Sequence, residues 1–429
     1  MASVAVKGGS AAGAAVVVAL SVAAFYYFVQ YMLRSAPAVM MPQLEAALGL
    51  SAAGLTSLLG LFYFGYAPFS LVAGVAMDQL GPRLAIPVGA AVMALGALMF
   101  ATGDPTLAAV GRFVQGAGGV FALIGAAYIA TTYFPASRAA TLIGATQMAG
   151  MAGGSAGQFL VGPAIAHGLP WAQFWLIGGL ASLAIAVLLW FATPSNPSGG
   201  APGAAREGRW WVKAGRAMAA VFANPQSILC GLVVGLLFLP TSIFDMVWGV
   251  RYLQEAHDLP YGLAVMRSAS VPFGWIIGCP LLGALSDRAG RRKPFIIGGA
   301  AVLFACMALI LYGPPGFLPP YTLGLVAGIA SGAAMLPYIV IKEANRPEHA
   351  GTATGVCNFL AFSISALLGP VFGNLLMQAS GGGERELPHY QAAFTPLLWG
   401  VALAIVLALL LRETGRAAQT PSQPVSAKA

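Results

Sequence analysis

Apolar runs of twenty residues or more alternate with short polar breaks along nearly the whole chain. A helix needs about 20 apolar residues to cross the hydrocarbon core of a bilayer. Twelve runs of roughly that length can be delimited, at 14–42, 52–77, 84–102, 105–131, 139–166 and 171–193, then at 226–253, 262–286, 294–313, 318–341, 350–378 and 390–412. The pattern predicts an all-α polytopic membrane protein with twelve transmembrane helices in two six-helix halves, 1–193 and 226–412. Between them, 194–225 reads as a linker. It is rich in Pro, Gly and Ser as far as Ala205, and then carries Arg209, Trp210, Trp211, Lys213 and Arg216, which suit a helix lying in the membrane interface. The tail, 413–429, is polar and reads as disordered. The first run follows a single basic residue, Lys7, and reads as a retained span rather than a signal peptide.

Composition narrows the class. Only 8% of the 429 residues are charged, whereas a soluble domain carries roughly a quarter, so a water-facing surface could not be covered. The net charge of +8 is distributed by loop. Lys7, Arg83, Arg138, the linker cations, the Arg288–Lys293 cluster, Lys342, Arg346, Arg412 and Arg416 fall in one set of loops; Glu45, Asp104, Glu255, Asp258, Glu384 and Glu386 fall in the other. Cytoplasmic loops carry the cations, which places both termini in the cytoplasm and the chain in the inner (plasma) membrane. The same distribution speaks against nucleic acid as a partner. The expected partners are a small-molecule substrate, protons and the lipid bilayer, with the chain a monomer. The four cysteines and four histidines lack metal-ligand spacing, and no GxxxxGK[ST] loop is present, so no cofactor, metal or ATP site is expected. No nucleophile–base pair suggests an enzyme.

The densest charge cluster is Gly283-Ala284-Leu285-Ser286-Asp287-Arg288-Ala289-Gly290-Arg291-Arg292-Lys293. A weaker copy holds Gly74, Asp78, Gly81 and Arg83, and 283 − 74, 287 − 78 and 290 − 81 all equal 209. Gln147 and Asn358 match at 211, and Gly162-Pro163 recurs as Gly369-Pro370 at 207. Two halves in the same orientation form a parallel repeat about an axis along the membrane normal. Together with Gly111-Arg112-Phe113-Val114-Gln115-Gly116 in the fourth run, these motifs resemble the major facilitator superfamily over nearly the full chain. Gln30-Tyr31-Met32-Leu33-Arg34-Ser35-Ala36-Pro37 and Trp248-Gly249-Val250-Arg251-Tyr252-Leu253 look like a bacterial importer branch that includes phagosomal transporters. The resemblance implies a secondary transporter working by alternating access. It also implies a cytoplasmic gating motif at Gly74, Asp78, Gly81, Arg83, Gly283, Asp287, Arg288, Gly290 and Arg291, and a link between Arg112 and proton coupling. The glycine and proline spacing of the antiporter signature is absent from the fifth run.

Ionisable residues inside a span are costly and are functional candidates by default. Three stand out: Arg34, Arg112 and Asp245. At the 209 offset Arg34 corresponds to position 243, two residues from Asp245, so the two are expected at similar depth in equivalent helices. They could form a static ion pair. They could bind opposite ends of a zwitterion, with Arg34 on the carboxylate. Or Asp245 could carry a proton, with Arg112 assisting the coupling. Gln30, Tyr31, Gln147 and Asn358 are candidate polar contacts for a small solute, or else helix–helix hydrogen bonds. Arg251 and Arg267, near the outer span ends, are expected to snorkel to the interface. These features favour import of an amino-acid-like or carboxylate-bearing solute. A proton-coupled efflux antiporter is the alternative within transport, and a non-transporting sensor the alternative outside it. If the charged loop gates rather than binds, Asp287→Asn impairs turnover in a transport assay while ligand binding to the folded variant stays intact.

Overall fold

The structure is a computed structural model that describes residues 10–134, 136–194, 210–314, 321–346 and 349–415. Lys7, the linker cations Arg206 and Arg209, and the tail from Arg416 lie outside the described residues, as do the side chains of Asp78, Trp210, Trp211 and Lys213.

Twelve long helices are present among the described residues. The first half holds α1 (Ser10–Ser35), α2 (Ala52–Leu80), α3 (Pro82–Ala101), α4 (Pro105–Tyr133), α5 (Ala136–Phe159) and α6 (Trp171–Ala192). The second half holds α7 (Pro225–Glu255), α8 (Tyr261–Ala289), α9 (Lys293–Tyr312), α10 (Thr322–Glu343), α11 (Ala350–Ser380) and α12 (Leu387–Leu410). Eleven are long and apolar enough to cross a bilayer. The twelfth, α5, is long enough but diluted by Gly, Ser, Thr and Gln. It is packed between α1 and α8 and presents little of itself to lipid. The run expected at 139–166 stops at Phe159, and a separate turn follows at Val161–Ala166. The linker helix, Trp210–Phe222, rests on α11, with Phe222 against Phe359.

The ends of these helices follow local chemistry. Asp104 caps α4 by accepting from the Leu107 amide at 2.8 Å, and Asn224 caps α7 by accepting from the Gln226 amide at 3.0 Å, each followed by a proline that needs no donor there. In the two charged loops, Gly81 (φ 76°) ends α2 and Gly290 (φ 64°) ends α8, a left-handed turn that other residues resist.

The helix packing repeats between halves. α1 on α5, α2 on α4, α3 on α4 and α3 on α6 recur as α7 on α11, α8 on α10, α9 on α10 and α9 on α12. Glycines set the closest crossings. A Cβ at Gly65 or Gly116 would lie 2.0 or 1.9 Å from a backbone oxygen across the α2–α4 crossing. At the α8–α10 crossing the distances are 2.3 Å for Gly274 and 2.0 Å for Gly328. The offsets, 274 − 65 = 209 and 328 − 116 = 212, repeat the motif spacing. The halves meet along α2–α11 and α5–α8, which are equivalent interfaces under the repeat. Ser70 donates to the Gly355 carbonyl at 3.2 Å in the first, and Ser155 to the Ala269 carbonyl at 3.1 Å in the second.

The charged loop of the second half is organised differently from expectation. Arg288 and Arg291 are exposed, and Arg292 takes the central position. Its guanidinium pairs with Asp287, donates to Ser286 at 3.1 Å and reaches Glu343 at 3.3 Å. Burial disfavours its charge, but the hydrogen bond to Asp287 and the Glu343 carboxylate outweigh that and hold its pKa above the ordinary arginine value. Glu413 accepts from the backbone amides of Arg292 and Lys293 at 2.6 and 3.2 Å. All of these partners lie in the second half, so the described contacts tie α8, α9, α10 and the end of α12 to one another. A one-residue shift in register separates Arg292 from the expected pair, because the turn at Gly290 points Arg291 outward.

Two glycine classes should therefore behave differently. Gly116→Ala and Gly328→Ala overpack a backbone crossing and should destabilise by about 1–3 kcal/mol. Gly74→Ala and Gly283→Ala, where an added Cβ meets nothing within 4 Å, should leave thermal unfolding in detergent unchanged.

Candidate functional site

Arg34 stands near the end of α1, 3% exposed, and its charge is surrounded by rings. The guanidinium carbon lies 4.8 Å from the centroids of Tyr31 and Tyr63, 5.0 Å from Phe362, 5.3 Å from Phe238 and 5.6 Å from Phe62. These rings come from α1, α2, α7 and α11, so the cage straddles both halves. Nε donates to the Tyr63 hydroxyl at 3.3 Å, and that hydroxyl donates to the Ser242 carbonyl at 3.0 Å. The two terminal nitrogens are buried and have no hydrogen-bond partner. Cation–π contact compensates a desolvated arginine in part, but four of its five N–H donors remain open.

Arg112, 2% exposed, is on α4 beside the same site. It donates to the Gln115 side chain at 2.8 Å and to the Leu33 carbonyl at 3.5 Å, and Gln115 in turn donates to the Gly96 carbonyl at 3.1 Å. Its guanidinium carbon lies 5.2 Å from the Phe62 centroid, so Arg34 and Arg112 share one ring. Its Nε has no partner. Among the described residues no carboxylate forms an ion pair with either arginine. Both line a closed cavity of only about 20 Å³, together with Thr56, Tyr63, Ser242 and Met246.

The polar candidates are distributed around this centre. Tyr31 stacks edge-on with Tyr27 at 4.9 Å, and the Tyr27 hydroxyl donates to Gln147 at 3.2 Å. That chain links Arg34 to α5. Gln30 is buried with neither amide atom partnered, and its side chain lies against Gly119 of α4. Asn358 accepts from the Tyr338 hydroxyl at 2.7 Å and leaves its amide nitrogen unpartnered.

Asp245 is not brought to Arg34, and no ion pair joins them among the described residues. The middle of α7, Pro240–Trp248, is wound as a π-helix, a geometry that concentrates at functional sites. Ser242, Ile243 and Met246 face the arginine cavity, while Asp245 faces a different one of about 150 Å³ inside the second half. Its Oδ1 accepts from the Ser268 hydroxyl at 2.9 Å, and its backbone carbonyl accepts from Gln158 at 3.4 Å. Helical spacing gave the warning. Two residues correspond to roughly 200° of rotation, so a residue two places from the equivalent of Arg34 belongs on the opposite face.

Arg251 does not snorkel. It pairs in bidentate fashion with Glu45, the second contact being 2.9 Å, and its Nε lies 3.1 Å from Glu255. Arg385 joins Glu255 at 2.7 Å, and the Tyr390 hydroxyl donates to the same carboxylate at 2.6 Å. Beside this network Tyr261 donates to the Val39 carbonyl at 2.7 Å. These contacts bridge the halves above Arg34 and close that end of the bundle. The i,i+4 spacing of Arg251 and Glu255 was a readable sign of pairing. Glu45, which completes the closure, had no such local sign.

A hexuronate transporter of Bacillus subtilis (strain 168) is 26% identical to this chain over 418 residues, covering 92% of this chain and 95% of that protein. Among solved structures, a variant of the nucleoside transporter NupG aligns with TM-score 0.70 at 14% identity over 92% of this chain and 99% of that one. The xylose transporter XylE from E. coli, in a partially occluded inward-open conformation, aligns with TM-score 0.69 at 14% identity over 94% and 99%. The family model described as Major Facilitator Superfamily matches residues 23–370, a stretch that takes in the arginine cage, the π-wound segment and both charged loops. This polytopic chain, with its repeated halves, belongs to the Major Facilitator Superfamily.

Proposed function

We propose that this transporter carries a small organic anion, bound through its carboxylate by Arg34 with Arg112 beside it, across the inner membrane together with protons. Membership of the family makes the chain a multi-pass secondary transporter and not an enzyme. The observation that carries the finer reading is the pair of buried guanidiniums around Phe62, with unpartnered nitrogens and no carboxylate paired to either among the described residues. Such charges are held at a cost unless a ligand compensates them. A carboxylate fits the open fork of Arg34 in bidentate geometry. A hexuronate is a sugar that bears a carboxylate, and the relative named for transporting it covers nearly the whole chain. Arg112 is held by an amide and a carbonyl, which suits a fixed second charge on the anion side better than a proton relay; the titrating role falls to Asp245. Substrate binding would require the closed cavity to expand, with the Glu45–Arg251 closure opening towards the periplasm and the basic loops remaining cytoplasmic. The efflux reading is disfavoured by the same feature, since a lipophilic cation would meet two like charges.

The test uses glucuronate uptake into proteoliposomes and its binding to purified protein by thermal shift. Arg34→Ala should weaken binding by about 30- to 150-fold, the worth of a charge-assisted pair of roughly 2–3 kcal/mol. Arg34→Lys, which keeps the charge and loses the fork, should recover only part of it. Undiminished glucuronate uptake in folded Arg34→Ala sinks the proposal.

A further inference from the structure

The cavity that Asp245 faces is enclosed by α7, α8, α9 and α10 and has a volume of about 150 Å³. Asp245, Thr241 and Ser331 form its floor, near mid-span. His257 and Arg267 stand towards its other limit, where Gly313 and Pro314 follow the end of α9. That limit is the same end of the bundle at which Glu45 and Arg251 shut the arginine cavity. Leu303 and Met307 supply apolar wall.

Asp245 is 3% exposed, and its Oδ2 is buried without a hydrogen-bond partner. A buried acceptor left open calls for a partner. This cavity is polar at its floor and many times larger than one water requires. At the mouth, a ring nitrogen of His257 and the Tyr252 hydroxyl are hydrogen-bonded at 2.9 Å. Burial and the nearby Arg267 charge, opposed by Asp258, hold His257 below its ordinary pKa, so its imidazole is neutral at physiological pH. The other groups around Asp245 are few. On α7 itself Arg251 is committed to Glu45 and Glu255. α8 contributes Ser268 and Arg267, and α5 contributes the Gln158 amide. α9 and α10 line the cavity with Leu303, Met307, Ala327 and Ser331, none of which titrates.

We propose that this cavity is a proton vestibule, leading water from the α7–α8 loop, past His257, to Asp245. A proton taken up at the mouth is handed along water to Oδ2 and neutralises the carboxylate. The organic anion and the proton therefore use separate doors. Asp245 equilibrates with the outer solution while the Glu45–Arg251 closure over Arg34 stays shut. This rests on Asp245 being the titrating carboxylate of the transport cycle.

The test reads access and coupling separately. Ser331→Cys, nearly isosteric and at the cavity floor, is exposed in sealed vesicles to a charged, membrane-impermeant thiosulfonate from each side in turn, and the adduct is located by peptide mass; Leu323→Cys serves as a second position nearer the mouth. The expected result is modification from the side of the α7–α8 loop. In parallel, His257→Gln should slow proton-driven glucuronate uptake about tenfold or more while leaving exchange between equal pools unchanged, and Asp245→Asn should abolish proton-driven accumulation. Failure of both cysteines to react, or reaction only from the opposite side, overturns the vestibule even where Asp245→Asn uncouples transport. Reaction from the expected side with accumulation intact in Asp245→Asn overturns the coupling role on which the vestibule rests.

Discussion

A guanidinium held away from water without a counter-charge is among the least favourable arrangements a membrane protein can keep. Among the described residues, this chain keeps two. Arg34 and Arg112 share the Phe62 ring, and the rings around Arg34 are drawn from α1, α2, α7 and α11. The aromatic cage softens the cost of desolvation and does not remove it. The carboxylates of Glu45 and Glu255 are committed to Arg251 and Arg385 and leave the two buried guanidiniums without a counter-charge among the described residues.

Within each half the closest packing comes from glycine. At the α2–α4 and α8–α10 crossings the backbones are so close that no side chain fits between them, and the same residues recur at nearly the same spacing in each half. Each half is thereby braced internally at its closest contact. The interfaces between halves, α2–α11 and α5–α8, are extensive but meet mainly through side chains, such as Gly373 against Thr56 at 3.3 Å, and through single hydrogen bonds. The contrast between glycine-set crossings within the halves and side-chain contacts between them is the distinction that rocking of one half against the other would use.

The twelve spans, the repeat and the family were legible because each leaves a one-dimensional trace: run length, offset, and short charged motifs. Arg34 and Arg112 were legible for the same reason, as charges where none belong. What escaped was rotation. Of the three readings left open for Arg34 and Asp245, the ion pair is the one the described contacts do not form, because depth along a helix can be read from position, whereas the face requires the winding, and the π-helical stretch changes the winding locally. Arg292 was passed over in favour of Arg288 and Arg291 because the turn at Gly290 decides which of three neighbouring cations faces inward. Glu45 was read as a loop charge because its partner is 206 residues away in sequence. The repeated glycine crossings were present in the sequence, but of the four only Gly116 fell within a motif, and among 55 glycines nothing marked Gly65, Gly274 and Gly328.

The π-wound segment of α7 has one more consequence. It is a partition with a chamber on each side: Ser242, Ile243 and Met246 belong to one, Thr241, Phe244 and Asp245 to the other. A single wall cannot move away from one room without advancing into its neighbour. A solute filling the arginine chamber, as proposed, would press this wall towards Asp245, and its departure would let the wall return. Two ligands that never touch would then feel each other's presence through the displacement of nine residues.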